Sequence, residues 1–117
     1  MGIEQSATLW EVRHGSHTCY GFDLSEDSVT FRYSGPFDES DEWINTSGTF
    51  KRADFAQAIR VLLEERQAEV KGVHGETLRF RVLPTGLISL DLNTGYLNNL
   101  AIADLGIGPE RLAIPAE

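Results

Sequence analysis

One stretch of this chain clearly repeats its apolar residues at helical spacing. Phe55, Ala58, Ile59, Leu62 and Leu63 form a stripe, with Gln57, Arg60, Glu64, Gln67 and Lys71 mainly on the opposite side. Asp54 is placed to cap the start, with Gln57 three residues on. Gly72 is placed to stop the helix, with Lys71 beside it. A single amphipathic helix cannot bury its own stripe, so the rest of the chain must supply a surface to cover it. The stripe is therefore core and not a cofactor-binding face.

That surface is a sheet. Residues 7–14, 18–24, 28–34, 43–50, 76–83 and 87–92 alternate apolar and polar side chains, the period of a half-buried strand. The clearest early run carries Val29, Phe31 and Tyr33 on one face, with Thr30 and Arg32 on the other. Ile44, Thr46, Gly48 and Phe50 share a face in the next run. His14-Gly15-Ser16-His17 has the composition of a two-residue hairpin turn. That turn pairs His14 with His17, Val12 with Cys19, Trp10 with Gly21, Leu9 with Phe22 and Glu11 with Tyr20. Pro84-Thr85-Gly86 reads as a three-residue hairpin loop with glycine in the left-handed position. Residues 96–105 suit a short helix or a strand, with the balance toward strand or irregular chain, and Pro109 can open one helical turn. The reading is α+β: a mainly antiparallel sheet of about six strands, with one amphipathic helix packed on one face. Residues 1–117 form a single domain, with 1–6 and 110–117 as loose ends.

Charge narrows the partners. The net charge is −8, and residues 23–42 hold seven acids against one base, Arg32, which leaves −6 in that window. Such a field repels phosphate backbones and anionic membranes and attracts basic surfaces, so direct nucleic-acid binding and membrane binding are not expected. Solubility alone is the competing explanation for an acidic chain. One cysteine, Cys19, excludes an intramolecular disulfide and suits a reducing cytoplasm. The first eleven residues carry acids and no apolar core, so no signal peptide is expected, and no run is long enough to span a membrane.

Catalytic and metal signatures are weak. His14, His17 and Cys19 are zinc-ligand types, with His74 as a distant fourth, but the two histidines merely flank a turn. Cys19 opposite Val12 reads as a small buried residue. Residues 38–42 hold oxygen ligands but lack the glycine and the terminal glutamate spacing of a calcium loop. No nucleophile elbow surrounds Ser40, Ser47 or Ser89, and no glycine-rich phosphate loop precedes the helix. No enzyme, metal or cofactor is expected. Arg79 and Arg81 share the outward face of one strand, too few for a nucleic-acid footprint.

What stands out is Pro36-Phe37-Asp38-Glu39-Ser40-Asp41-Glu42-Trp43, with four carboxylates in five residues and an aromatic ring at each end. Carboxylates steer the encounter with a basic protein, and Phe37 and Trp43 can supply buried area, with Tyr33 or Tyr20 beside them. Trp43 fits core packing at a strand start as well as it fits an interface. The candidate partner-binding residues are Asp38, Glu39, Asp41, Glu42, Phe37 and Trp43.

The order of elements resembles small immunity proteins of bacterial polymorphic toxin systems, including the immunity type that accompanies wall-associated toxins. It runs from a strand through the loop ending Asp41-Glu42-Trp43 and the strand ending Gly48-Thr49-Phe50. The helix from Asp54 and the hairpin around Leu83-Pro84-Thr85-Gly86-Leu87 follow. The likeness covers residues 29–92. It implies a bacterial, cytoplasmic inhibitor that masks a basic partner, with a nuclease toxin as one candidate. Two other readings have the same sequence signature. One is a homodimeric secretion chaperone, the other a phage-type inhibitor acting by acidic mimicry. The chain is expected as a monomer or a homodimer accordingly.

Overall fold

A computed structural model describes residues 7–14, 18–36, 43–94 and 100–114. The architecture is α+β, with eight strands among the described residues rather than about six, in two antiparallel four-stranded sheets rather than one. Sheet 1 is the meander β1 (Ala7–His14), β2 (Thr18–Leu24), β3 (Ser28–Pro36) and β4 (Trp43–Lys51). The helix α1 (Arg52–Glu65) follows directly. Sheet 2 is a second meander of β5 (Gln67–Lys71), β6 (Thr77–Val82), β7 (Ile88–Asn93) and β8 (Leu100–Ile102). A 3-10 turn over Pro109–Leu112 closes the described chain.

The two additional strands have separable causes. β8 falls inside the ambiguous run 96–105, whose residues 96–99 lie outside the described ones. β5 was expected as the last turn of the helix. The helix instead ends at Glu65, where Arg66 takes a left-handed φ of 67° and its N–H donates to the Leu62 carbonyl. Gln67, Ala68, Glu69 and Lys71 are good helix formers, but this segment pairs with β6 and buries Val70 opposite Leu78. Tertiary pairing overrides local propensity here. The helix also starts earlier than expected. Lys51 is the N-cap and makes no side-chain capping bond, while Asp54 sits within the first turn. The Arg52 N–H is satisfied by the Asp27 carbonyl of the β2–β3 turn at 3.0 Å. The buried helix face is Phe55, Ala56, Ala58, Ile59 and Leu62. Leu63, expected in the stripe, is exposed.

The β1–β2 register is also corrected. Glu11 faces Gly21, Val12 faces Tyr20, Arg13 faces Cys19 and His14 faces Thr18, one residue away from the two-residue-turn pairing. The shift is absorbed between Thr8 and Trp10, so that Ala7 faces Leu24 and Thr8 faces Asp23. Burial explains the choice. The observed register sets Trp10 with Phe22 and Val12 with Tyr20 on the core side, and it keeps Glu11 away from Tyr20. Gly21 is pressed so close to β1 that an added Cβ would meet the Trp10 carbonyl oxygen and the Glu11 Cα. Gly21→Ala is therefore expected to cost about 1–3 kcal/mol in urea unfolding, because only backbone can give way.

The inner faces of both sheets and the buried side of α1 form one continuous apolar cluster. Phe22 of sheet 1, Phe55 of the helix and Phe80 of sheet 2 meet within it, with ring centroids 5.6–6.3 Å apart. Gly86 turns the β6–β7 hairpin at φ 91°, as its sequence suggested. Past β8, Leu105 and Ile107 pair with Ile88, and Leu112 is fully buried. Residues 110–114 are thus anchored rather than loose. Residues 1–6 and 115–117 lie outside the described ones.

Candidate functional site

β3 and β4 pair along their whole length, and the last pair is Pro36 with Trp43. Residues 37–42 therefore link two strand ends held side by side. Phe37, Asp38, Glu39, Asp41 and Glu42 themselves lie outside the described residues. Trp43 does not: it is 50 % exposed, on the outward face of sheet 1 with Asn45 and Ser47. Core packing, one of its two expected roles, is excluded. Tyr20 and Tyr33 are not beside it on the surface. They stack inside the fold at a 5.8 Å centroid distance, and both are buried. The Tyr33 hydroxyl donates to the Pro36 carbonyl at 2.7 Å, which fixes the base of the acidic hairpin from within. Burial raises the Tyr33 pKa, and burial with neighbouring Tyr33 and Asp104 raises that of Tyr20, so both hydroxyls stay protonated.

The one base of the acidic window is committed elsewhere. Arg32 donates from Nε to Asp23 Oδ2 at 2.7 Å and from Nη2 to Oδ1 at 3.1 Å, a two-pronged pair across β2 and β3. Its Nη1 lies 3.2 Å from Glu11 Oε2. The Asp23 hydrogen bonds, outweighing burial, raise the Arg32 pKa. Arg32 is thus matched by Asp23 and Glu11 on the outer face of sheet 1. Cys19 belongs to this cluster rather than to the core. Half-buried opposite Arg13, it donates its thiol to Glu11 Oε2 at 3.3 Å. That bond, against some burial and with help from Arg13 and Arg32, lowers the Glu11 pKa. Among the described residues no group of three histidine, cysteine or acidic side chains is placed to hold a metal. His17 lies outside them, and His74 sits in the turn between β5 and β6.

Sequence reading missed Glu76. Its side chain is only 6 % exposed. It accepts the Thr49 N–H of β4 at 2.9 Å and the His74 N–H at 2.7 Å. One carboxylate thereby ties the free edge of sheet 1 to the first turn of sheet 2. The glycines around it were the available signal: an added Cβ at Gly72 would run into the Glu76 carboxyl group, and one at Gly48 would lie 3.1 Å from its Cγ. Beside this clamp, Asn45, Ser47, His74, Glu76 and Thr94 line a cleft of about 370 Å³.

A larger groove of about 940 Å³ follows the outer face of sheet 2 and includes Glu69, Arg79, Arg81, Ser89 and Asp91. Arg79 lies 3.6 Å from Glu69. The Arg79 and Arg81 pair expected on an outward strand face is therefore there, on the other sheet from the acidic hairpin. Asp91 Oδ1 is shielded and has no hydrogen-bond donor among the described residues.

Among the described residues no helix is long and apolar enough to cross a membrane. The fold defines an α+β protein of two antiparallel meanders joined by one helix. No protein-family model, no curated protein and no solved structure matches the chain.

Proposed function

We propose that this chain is a non-catalytic acidic binding protein that inhibits a basic protein partner, with neutralisation of a toxin as the leading version. The supporting observation is Trp43. It is half-exposed at the base of a hairpin whose linking residues include Asp38, Glu39, Asp41 and Glu42. An aromatic ring held on a paired strand offers buried contact area at little entropic cost, and adjacent carboxylates accelerate the encounter with a basic surface. Arg32, engaged with Asp23 and Glu11, leaves that charge unopposed within its window. Phe37 completes the proposed contact surface.

The test is co-expression with the product of the adjacent reading frame. That product alone is expected to arrest growth, and this chain is expected to restore it while remaining bound in a stoichiometric complex. Growth arrest without rescue removes the inhibitor reading. Size-exclusion chromatography of the chain alone is expected to show a monomer or weak dimer; a stable homodimer would favour the secretion chaperone.

A further inference from the structure

β4 is the last strand of sheet 1, and among the described residues its outer edge is filled at one rung only. Thr49 points both backbone groups away from β3. Its N–H donates to Glu76 Oε2 and its carbonyl accepts the Val73 N–H, each at 2.9 Å. Residues 73–76 thus stand in for a neighbouring strand at that position. Antiparallel ladders alternate with a period of two, so Ser47, Asn45 and Trp43 present their N–H and C=O groups to the same side. Among the described residues no backbone group pairs with them there. The cleft lined by Asn45, Ser47 and His74 runs alongside.

We infer that this edge takes an extended, basic segment of the protein partner as a fifth strand, a binding mode in which main-chain hydrogen bonds give affinity and alternate side chains give specificity. The inference rests on the acidic-hairpin reading above and adds the mode of contact. The added strand begins where residues 73–76 leave the edge, pairs with Ser47 and Asn45, and ends beside Trp43, which four carboxylates of residues 38–42 precede in the sequence. One set of its side chains lies beside Trp43, Asn45 and Ser47, and the other lies over half-buried Ile44 and Thr46. Charge selects the occupant. Four acids within the five residues 38–42, just ahead of Trp43 in the sequence, favour lysine and arginine, and a chain of net charge −8 opposes a second copy of itself at this place.

The probe is a short blocked peptide alternating lysine and valine, with a second version N-methylated on the backbone nitrogens of one edge. Amide exchange is followed by NMR. The unmodified peptide is expected to slow exchange at Asn45 and Ser47 by about tenfold or more at saturation, and the N-methylated one is not. Proline at these positions removes only outward-facing N–H groups. The double variant Asn45→Pro, Ser47→Pro is therefore expected to keep its melting temperature and lose the peptide. Should that variant fail to fold, the comparison of the two peptides still decides. Equal binding of both peptides with no protection overturns the edge pairing and leaves the acidic-surface reading to stand or fall on growth rescue. Absence of binding by either also overturns the edge pairing. Protection at Asn45 and Ser47 in the free protein, together with a dimer by sedimentation, assigns the edge to a second copy and overturns the basic-segment proposal.

Discussion

Replacing Phe55 with alanine is expected to lower unfolding stability by about 3–5 kcal/mol, the range for removing a fully buried aromatic ring. Phe55 has no exposed surface and is the first buried residue of the helix. Its ring lies 5.6 Å from Phe22 in one sheet and 6.1 Å, edge-on, from Phe80 in the other. Each wall of the resulting cavity belongs to a separately hydrogen-bonded meander, so collapse around the missing ring would have to move a whole sheet. That places the expected cost toward the upper end. Urea denaturation of Phe55→Ala against Leu63→Ala checks it. Leu63 is on the same helix but 45 % exposed, and its replacement is expected to change stability by no more than about 0.5 kcal/mol. Similar midpoints for the two variants would mean that the sheets do not share this core.

The second large effect belongs to Glu76. Glu76→Ala removes the acceptor of the Thr49 and His74 N–H groups and is expected to cost about 2–4 kcal/mol, since charged acceptors are stronger than neutral ones and a shielded donor left alone is penalised. Glu76→Gln keeps one acceptor oxygen and is expected to cost less, roughly 1–2 kcal/mol. The pH dependence has a definite sign. Burial pushes the carboxyl up, but the N–H groups of Thr49, Glu76 and His74, with the His74 imidazole, outweigh it and hold the pKa below its ordinary value. The stabilisation is then fully present above the ordinary carboxylate range and is lost as pH falls through the lowered folded-state value. The stability gap between wild type and Glu76→Gln should be steady near neutral pH and close on acidification. A gap indifferent to acid would show that the charge on Glu76 plays no part.

The contrast between these two residues shows what sequence could reveal. Phe55 was legible because its role depends on local period: it heads an apolar stripe, and the alternating runs around it announced their own buried faces. Leu63, expected in that stripe, is exposed, and residues 67–71, expected as helix, pair with β6 instead. The helix formers after Glu65 gave no local sign that β6 would claim them as a strand. Trp10 and Gly21 lie in adjacent strands as the alternation predicts, but one residue off the register of a two-residue turn, because matching the apolar faces outweighs the local turn signal. Period puts Glu76 in phase with Leu78 and Phe80 but does not show its role, since its partner Thr49 is 27 residues away. Within the candidate site, Trp43 was left between core and surface by composition, because only the strand's orientation decides it. The acids beside it were visible at once, and the commitment of Arg32 to Asp23 and Glu11 was not.

Capture of a basic partner by the acidic hairpin is the proposal on which the function rests. Stopped-flow association with the product of the adjacent reading frame tests it most directly, comparing wild type with a variant carrying Asp38→Asn, Glu39→Gln, Asp41→Asn and Glu42→Gln. The wild-type rate is expected to fall steeply with added salt. The variant, unchanged in melting temperature, is expected to associate about tenfold or more slowly at low salt and to respond weakly to ionic strength. Equal rates for the two proteins at every salt concentration would contradict the claim.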